Sequence, residues 1–254
     1  MEVASKESSV FQNKIISGIP GFDSILGGGI PERSFVVLVG GTGTGKSIFA
    51  QQFLWEGLKS GEGAVYVSVD ESPAQLRKDM EAFGWKVSEF EEKKKFAVVD
   101  AFTSAIGKVK EKEKYAVQDI SDLNEFLDVL ASAIRDVGGK RVVIDSINPI
   151  YLNNKVASPR NITLHIKRLV QGLGATTFAI AHLGAGDKVG WSQEIEHLAD
   201  GIIRFDLEEV KGELVRSILV LKFRGTNHSL RRHPFDVTSS GIVVYSEKTL
   251  NLKS

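Results

Sequence analysis

The chain contains no cysteine, which excludes disulfides, a thiolate zinc site and a cysteine nucleophile. It has no excess of either charge, because 32 lysines plus arginines balance 32 aspartates plus glutamates. That balance gives no sign of an all-over nucleic-acid or membrane binder, although it leaves room for a local basic patch. No apolar run approaches the ~18 residues of a membrane-spanning helix. Residues 1–14 lack the apolar centre of a signal peptide, so the expectation is a cytoplasmic protein without a membrane partner. Tandem repeats and low-complexity segments are also missing. What remains is 254 residues, 42% hydrophobic and 25% charged, enough for one large α/β domain or two small ones.

The most informative stretch is Gly40-Gly41-Thr42-Gly43-Thr44-Gly45-Lys46-Ser47, which fits the phosphate-cradling pattern G-x-x-x-x-G-K-[ST]. Phe35 to Val39 before it reads as a buried strand, and Ile48 to Leu54 after it as the first turns of a helix. Strand, glycine-rich loop and helix are the context in which the pattern carries weight. Glycines let the backbone approach a polyphosphate, and the freed N–H groups sit at the positive end of the helix. Lys46 is then expected to reach the β- and γ-phosphates and Ser47 to ligate Mg²⁺. A ligand-free glycine turn is the competing reading, and it leaves the Lys-Ser pair unexplained.

Elsewhere the pattern alternates between strands and helices. Residues 1–14 read as a loose arm and Ile15 to Pro31 as a turn-rich lead-in. The loop helix ends near Lys59, and Ala64 to Val69 forms a strand ending in Asp70-Glu71. Ser72-Pro73 opens a helix as cap and first position. Phe96 to Asp100 is a short strand, and residues 104–118 a charged surface loop. From about Asp119, apolar residues at steps of three and four mark another helix. Arg141 to Ser146 is an apolar strand of the kind that is covered on both faces. Ser158-Pro159 begins a helix, and Ala175 to Ala181 forms a strand followed by a glycine-rich loop from His182 to about Ser192. From Gly201 onward the pattern shows strands alone, an antiparallel extension of the sheet.

Three further groups have chemical potential. Asp145 ends an apolar strand, where a P-loop protein needs an acid to support the metal. Asp70 and Glu71 end another, where a carboxylate can orient or deprotonate water; strand alternation points only one of them at the γ-phosphate. Lys222, Arg224 and Thr226 fall on one face of a late strand, with Leu221 and Phe223 on the other. These cations suit either a charge-protected edge strand or arginine fingers serving a neighbouring subunit. His182, His197, His228 and His233 show no metal-ligand spacing and read as structural or surface residues. Trp85 and Trp191 read as packing residues.

Taken together, these residues resemble KaiC-type domains of the RecA-like ATPase superfamily. The resemblance is carried by Gly18-Ile19-Pro20-Gly21-Phe22-Asp23, Gly27-Gly28-Gly29-Ile30-Pro31 and the P-loop. Further along it rests on Val69-Asp70-Glu71-Ser72-Pro73, Phe83-Gly84-Trp85, Ile144-Asp145-Ser146, Gly174-Ala175-Thr176-Thr177 and Lys222 to His228. It extends from about Ile15 to Tyr245 and implies a three-layer α/β RecA-like core with a mostly parallel central sheet and antiparallel C-terminal strands. The domain is then 15–247, between an arm at 1–14 and a tail at 248–254. The resemblance implies Mg-dependent ATP hydrolysis at the subunit interfaces of a ring-shaped homo-oligomer, a hexamer in the usual case. Water activation falls to Asp70 and Glu71, and Lys222 and Arg224 reach the adjacent protomer's γ-phosphate. Two departures stand out. Arg33 holds a turn position where glycine is usual, and Asp70 replaces a glutamate. An ATP-dependent scaffold for protein partners is the first alternative function. A DNA motor using loops 152–158 and 182–192 is the second, less favoured because those loops carry few cations.

Overall fold

A computed structural model describes residues 13–103, 113–154, 157–183 and 192–250, apart from the side chains of residues 192–194. The lead-in comprises strand β1 (Lys14–Ile15), helix α1 (Phe22–Ile25) and strand β2 (Ile30–Pro31), with β1 and β2 pairing antiparallel. The expected loose arm therefore ends earlier. Lys14 belongs to a strand, and its ammonium donates to the carbonyls of Leu26 and Gly27 and to Thr226 Oγ1 at 3.1, 2.8 and 2.7 Å. Residues 1–12 of the arm and 251–254 of the tail lie outside the described residues.

The nucleotide-loop unit follows as β3 (Phe35–Gly40) and α2 (Lys46–Lys59). Next come β4 (Gly63–Ser68), α3 (Pro73–Ala82), α4 (Ser88–Glu92) and β5 (Phe96–Asp100). Every residue of β3, β4 and β5 is buried, which is why these strands read as continuous apolar runs rather than alternating ones. Ser72 caps α3 by accepting from the Gln75 N–H at 3.2 Å, with Pro73 at the first position.

The segment expected to be all loop up to residue 118 contains a short strand, β6 (Tyr115–Ala116), paired with the end of β5; residues 104–112 lie outside the described residues. Helix α5 (Leu123–Val137) starts four residues later than its apolar pattern suggests, because Asp122 is its cap and accepts from the N–H groups of Asn124 and Glu125. Then come β7 (Gly139–Asp145), α6 (Asn148–Asn153), α7 (Pro159–Gly172), β8 (Thr176–His182) and α8 (Ser192–Leu198). The chain finishes with β9 (Gly201–Val210), β10 (Glu213–Phe223), β11 (His233–Thr238) and β12 (Gly241–Val244).

The ten-stranded sheet has the order β12-β11-β10-β9-β3-β8-β7-β4-β5-β6. From β9 to β6 neighbours run parallel; β10, β11 and β12 extend the sheet antiparallel. Helices cover both faces. Val36 and Leu38 of β3 pack with Phe49 and Phe53 of α2 and with Leu76 and Met80 of α3. Phe35, Val37 and Val39 pack on the other face with Phe126 and Leu130 of α5 and Ile162 and Ile166 of α7. The result is the expected three-layer α/β fold with an antiparallel C-terminal extension.

An aromatic cluster fixes α2 against the sheet. Phe49 meets Phe22 and Phe205 edge-on at 4.8 and 5.1 Å, and Phe53 stacks on Phe178 at 4.2 Å. Such contacts each add about 0.5–1.5 kcal/mol beyond area burial. Their consequence is positional, since they hold the amino end of α2 where the glycine loop delivers it.

Candidate active site

The loop Gly40 to Ser47 joins the carboxyl end of β3 to α2. Three of its four glycines are required by geometry. A Cβ on Gly40 would lie 2.3 Å from the Phe205 carbonyl oxygen, and Gly43 and Gly45 have φ of +77° and +96°. Gly45 caps α2 without a side-chain bond, so the helix's first N–H groups face outward without competition. Thr44 Oγ1 donates to the Gly41 carbonyl at 2.9 Å. Lys46 folds back over the loop, its ammonium donating to the carbonyls of Gly40 and Gly41 at 3.0 and 2.7 Å. Burial lowers the Lys46 pKa, and the charge of Asp145 partly offsets it.

Beside the loop lies a cleft of about 450 Å³, lined among others by Ser47, Gln51, Asp70, Glu71, Asp145 and His182. It opens at the carboxyl ends of β4, β7 and β8, where open α/β sheets bind ligands. Asp145 is buried and accepts from the Tyr66 hydroxyl at 2.7 Å. Burial raises its pKa against the hydrogen bonds of Tyr66 and Ser47. A serine hydroxyl and a carboxylate that face each other are hard oxygen donors, a set that fits Mg²⁺.

Asp70 and Glu71 line this cleft together. Strand alternation does not separate them, because β4 ends at Ser68 and both lie in the following bend. The Ser68 hydroxyl closes that bend by donating to the Glu71 carbonyl at 2.7 Å. Their environments differ sharply. Burial, with the charges of Asp79, Asp145 and Asp70, pushes the Glu71 carboxyl up to about 7. Burial also acts to raise Asp70, but hydrogen bonding from His182 and Ser146 outweighs it and leaves the pKa lowered.

His182, read from sequence as a structural or surface residue, stands inside this cleft. Its Nε2 lies 3.5 Å from Asp70 Oδ2. The sequence signal was its place at the carboxyl end of a buried strand next to β3, where Gly40 and His182 are register partners. Trp85 is core, as expected; Trp191 and residues 184–191 of the glycine-rich loop lie outside the described residues.

Lys222 and Arg224 are elsewhere. Lys222 pairs with Ile202, and the Arg224 N–H donates to the Asp200 carbonyl, whereas the loop residue Gly40 pairs with Phe205. The cations therefore occupy the end of the sheet opposite the phosphate loop. A β-bulge between Val220 and Lys222 sets their direction. Ile218, Val220 and Phe223 all enter the core, so Leu221 and Phe223 do not share a face as strict alternation suggests, and Leu221 is exposed. Lys222 Nζ donates to the Glu196 carbonyl at 2.6 Å. Arg224 donates to the His197 carbonyl at 2.8 Å and to Asp200 at 3.3 Å.

A P-loop after the first strand of a mostly parallel sheet, with an acid at the end of a buried strand two places away, defines a RecA-like nucleotide-binding domain. The family model for the KaiC ATPase matches residues 15–249, and the chain belongs to that family. A UPF0273 protein of Pyrococcus horikoshii is 54% identical over 237 residues, covering 93% of this chain and 96% of the relative. A UPF0273 protein of Thermotoga maritima is 51% identical over 232 residues, covering 91% and 96%. The crystal structure of a KaiC-like protein from Pyrococcus horikoshii superposes with a TM-score of 0.77 at 34% identity, covering 92% of this chain and 99% of that one. Family and loop together support P-loop binding of ATP. No helix among the described residues is long and apolar enough to cross a membrane.

Proposed function

We propose that this protein binds ATP with Mg²⁺ on Gly40 to Ser47 and hydrolyses it slowly between the subunits of a cytoplasmic ring, a hexamer on the family pattern. The observation that carries the reading is a division within one chain. The cradle and its acids share a cleft, while Lys222 and Arg224 face out from the far end of the sheet. A cradle that lacks Lys222 and Arg224 and a pair of cations that lacks a cradle are complementary when one copy meets the next.

Ser47 and Asp145 hold the metal, which neutralises triphosphate charge when bound. Lys46 exchanges the Gly40 and Gly41 carbonyls for phosphate oxygens. Glu71 accepts the proton of the attacking water, because its carboxyl titrates near neutrality, close to the optimum for a general base. Asp70 is the weaker base with its lowered pKa and orients the water through its other contacts. Lys222 and Arg224 of the adjacent copy stabilise the charge that develops on the leaving phosphates. Turnover is slow because water activation waits on a completed interface.

Phosphate release by Lys46→Ala and Arg224→Ala proteins tests this, with ATP binding measured alongside. Lys46→Ala is expected to lose nucleotide, and Arg224→Ala to keep it but release phosphate roughly 10³-fold more slowly. Full activity in either variant refutes the role given to that residue.

A further inference from the structure

Three adjacent strands each deliver one ligand type to the same point. Asp70 follows β4, Asp145 ends β7 and His182 ends β8, and these strands are neighbours in the sheet. One ligand atom from each lies within 4.8 Å of the others. We propose that Asp70, Asp145 and His182 form a binding site for an imidazole-preferring divalent ion such as Mn²⁺, separate from the metal held at Ser47. The site shares Asp145 with the loop metal but does not depend on hydrolysis.

The His182–Asp70 edge of this triangle already has the spacing one ion needs. Ligand atoms at about 2.1 Å from a common centre lie roughly 3–4 Å apart, and the His182 Nε2 to Asp70 Oδ2 separation is 3.5 Å. The donor set has a chemical preference: carboxylates alone suit Mg²⁺, whereas an added imidazole nitrogen favours Mn²⁺ and later first-row ions. The histidine is also held in place. Asn148 accepts from the His182 N–H at 2.9 Å and donates to its carbonyl at 3.3 Å, so the backbone beneath the ring is pinned from both sides. A second observation points to the same spot. The Ser146 hydroxyl is fully buried and makes no well-formed hydrogen bond among the described residues; its contact with Asp70 is close enough only to lower that carboxyl's pKa. A polar group in that position has a role once a hydrated ion orders the carboxylate beside it. Three protein ligands facing the cleft leave coordination positions open for water or a phosphate oxygen.

The test uses Mn²⁺ alone and the full chain without nucleotide. Loss of the free Mn²⁺ resonance is followed by electron paramagnetic resonance during titration. We expect one Mn²⁺ per chain, retained against roughly hundredfold Mg²⁺. His182→Ala should weaken binding by at least the roughly 10–100-fold seen for outer-shell partners, with His182→Asn as a second variant should the first fail to fold. Ser47→Ala should weaken Mn²⁺ binding much less than His182→Ala does. Absence of nucleotide-free binding overturns the site, as does wild-type affinity in the His182 variants. Loss in Ser47→Ala as large as in His182→Ala overturns it too, assigning the ion to the loop. None of these outcomes depends on phosphate release, so failure of the ATPase reading is seen separately.

Discussion

The two neighbouring acids differ in pKa by environment, not by chemistry. Glu71 is the one whose proton leaves near pH 7, and its base form is the carboxylate. Phosphate release should therefore rise as pH increases through about 7 and level off above it, and Glu71→Gln should flatten the profile while lowering the rate about 10²–10⁴-fold. A stability effect of defined sign accompanies this. The folded chain holds the Glu71 proton more tightly than the unfolded chain, whose value is near 4.5. The contribution is thus fully present below about pH 4.5 and lost as pH rises to about 7. Removing the titration with Glu71→Gln should recover roughly 1–2 kcal/mol at about pH 8, after allowance for solvent screening, and nothing at low pH, as denaturant titrations at the two conditions would show. A steric prediction belongs at the same scale. Gly40→Ala would drive a methyl to 2.3 Å from the Phe205 carbonyl, so the β3–β9 pairing must shift, at a cost of roughly 1–3 kcal/mol read as a lower urea midpoint.

Among the elements, caps decide where helices begin. Asp122 satisfies two orphan N–H groups of α5, on a helix far from the loop. Asp122→Ala should cost about 1 kcal/mol in thermal unfolding without altering nucleotide affinity. The same element shows what the sequence made legible. The apolar steps through Phe126, Leu130 and Ile134 announced α5, but the aspartate that starts it reads like any other polar residue. The phosphate loop was legible because its chemistry is local, with glycines, lysine and serine in one fixed spacing. The cleft was only half legible. Asp145 and Glu71 stood out at strand ends, whereas His182 meets Asp70 only because β8 lies two strands from β4, and no spacing along the chain encodes that. The bulge at Val220/Lys222 was invisible for a similar reason. Its one-residue slip exists only relative to β9, and alternation alone assigned Phe223 to the wrong partner.

At the scale of the whole molecule, the distance between cradle and cations makes a prediction about mixtures. Lys46→Ala protomers keep their cations and Arg224→Ala protomers keep their cradle. Co-assembled from equal amounts, they should recover about one quarter of wild-type phosphate release, the fraction of randomly formed interfaces with both intact parts. Recovery should vanish when each variant is assayed alone. A mixture as inactive as its components would sink the shared-site arrangement, while native mass with and without ATP would show separately whether a ring forms.

The tie between β10 and α8 has one more consequence. Lys222, Arg224 and Lys167 all donate to the terminal carbonyls of α8, at Glu196, His197 and Leu198. That helix has seven residues, too few to persist on its own hydrogen bonds. Whatever draws Lys222 and Arg224 towards a neighbour's triphosphate strips α8 of two of its three clamps. Nucleotide filling one pocket is thereby felt as fraying on the adjacent copy. Amide hydrogens at residues 195–198 should exchange faster when ATP is added to the assembled protein, and no faster in its Arg224→Ala form.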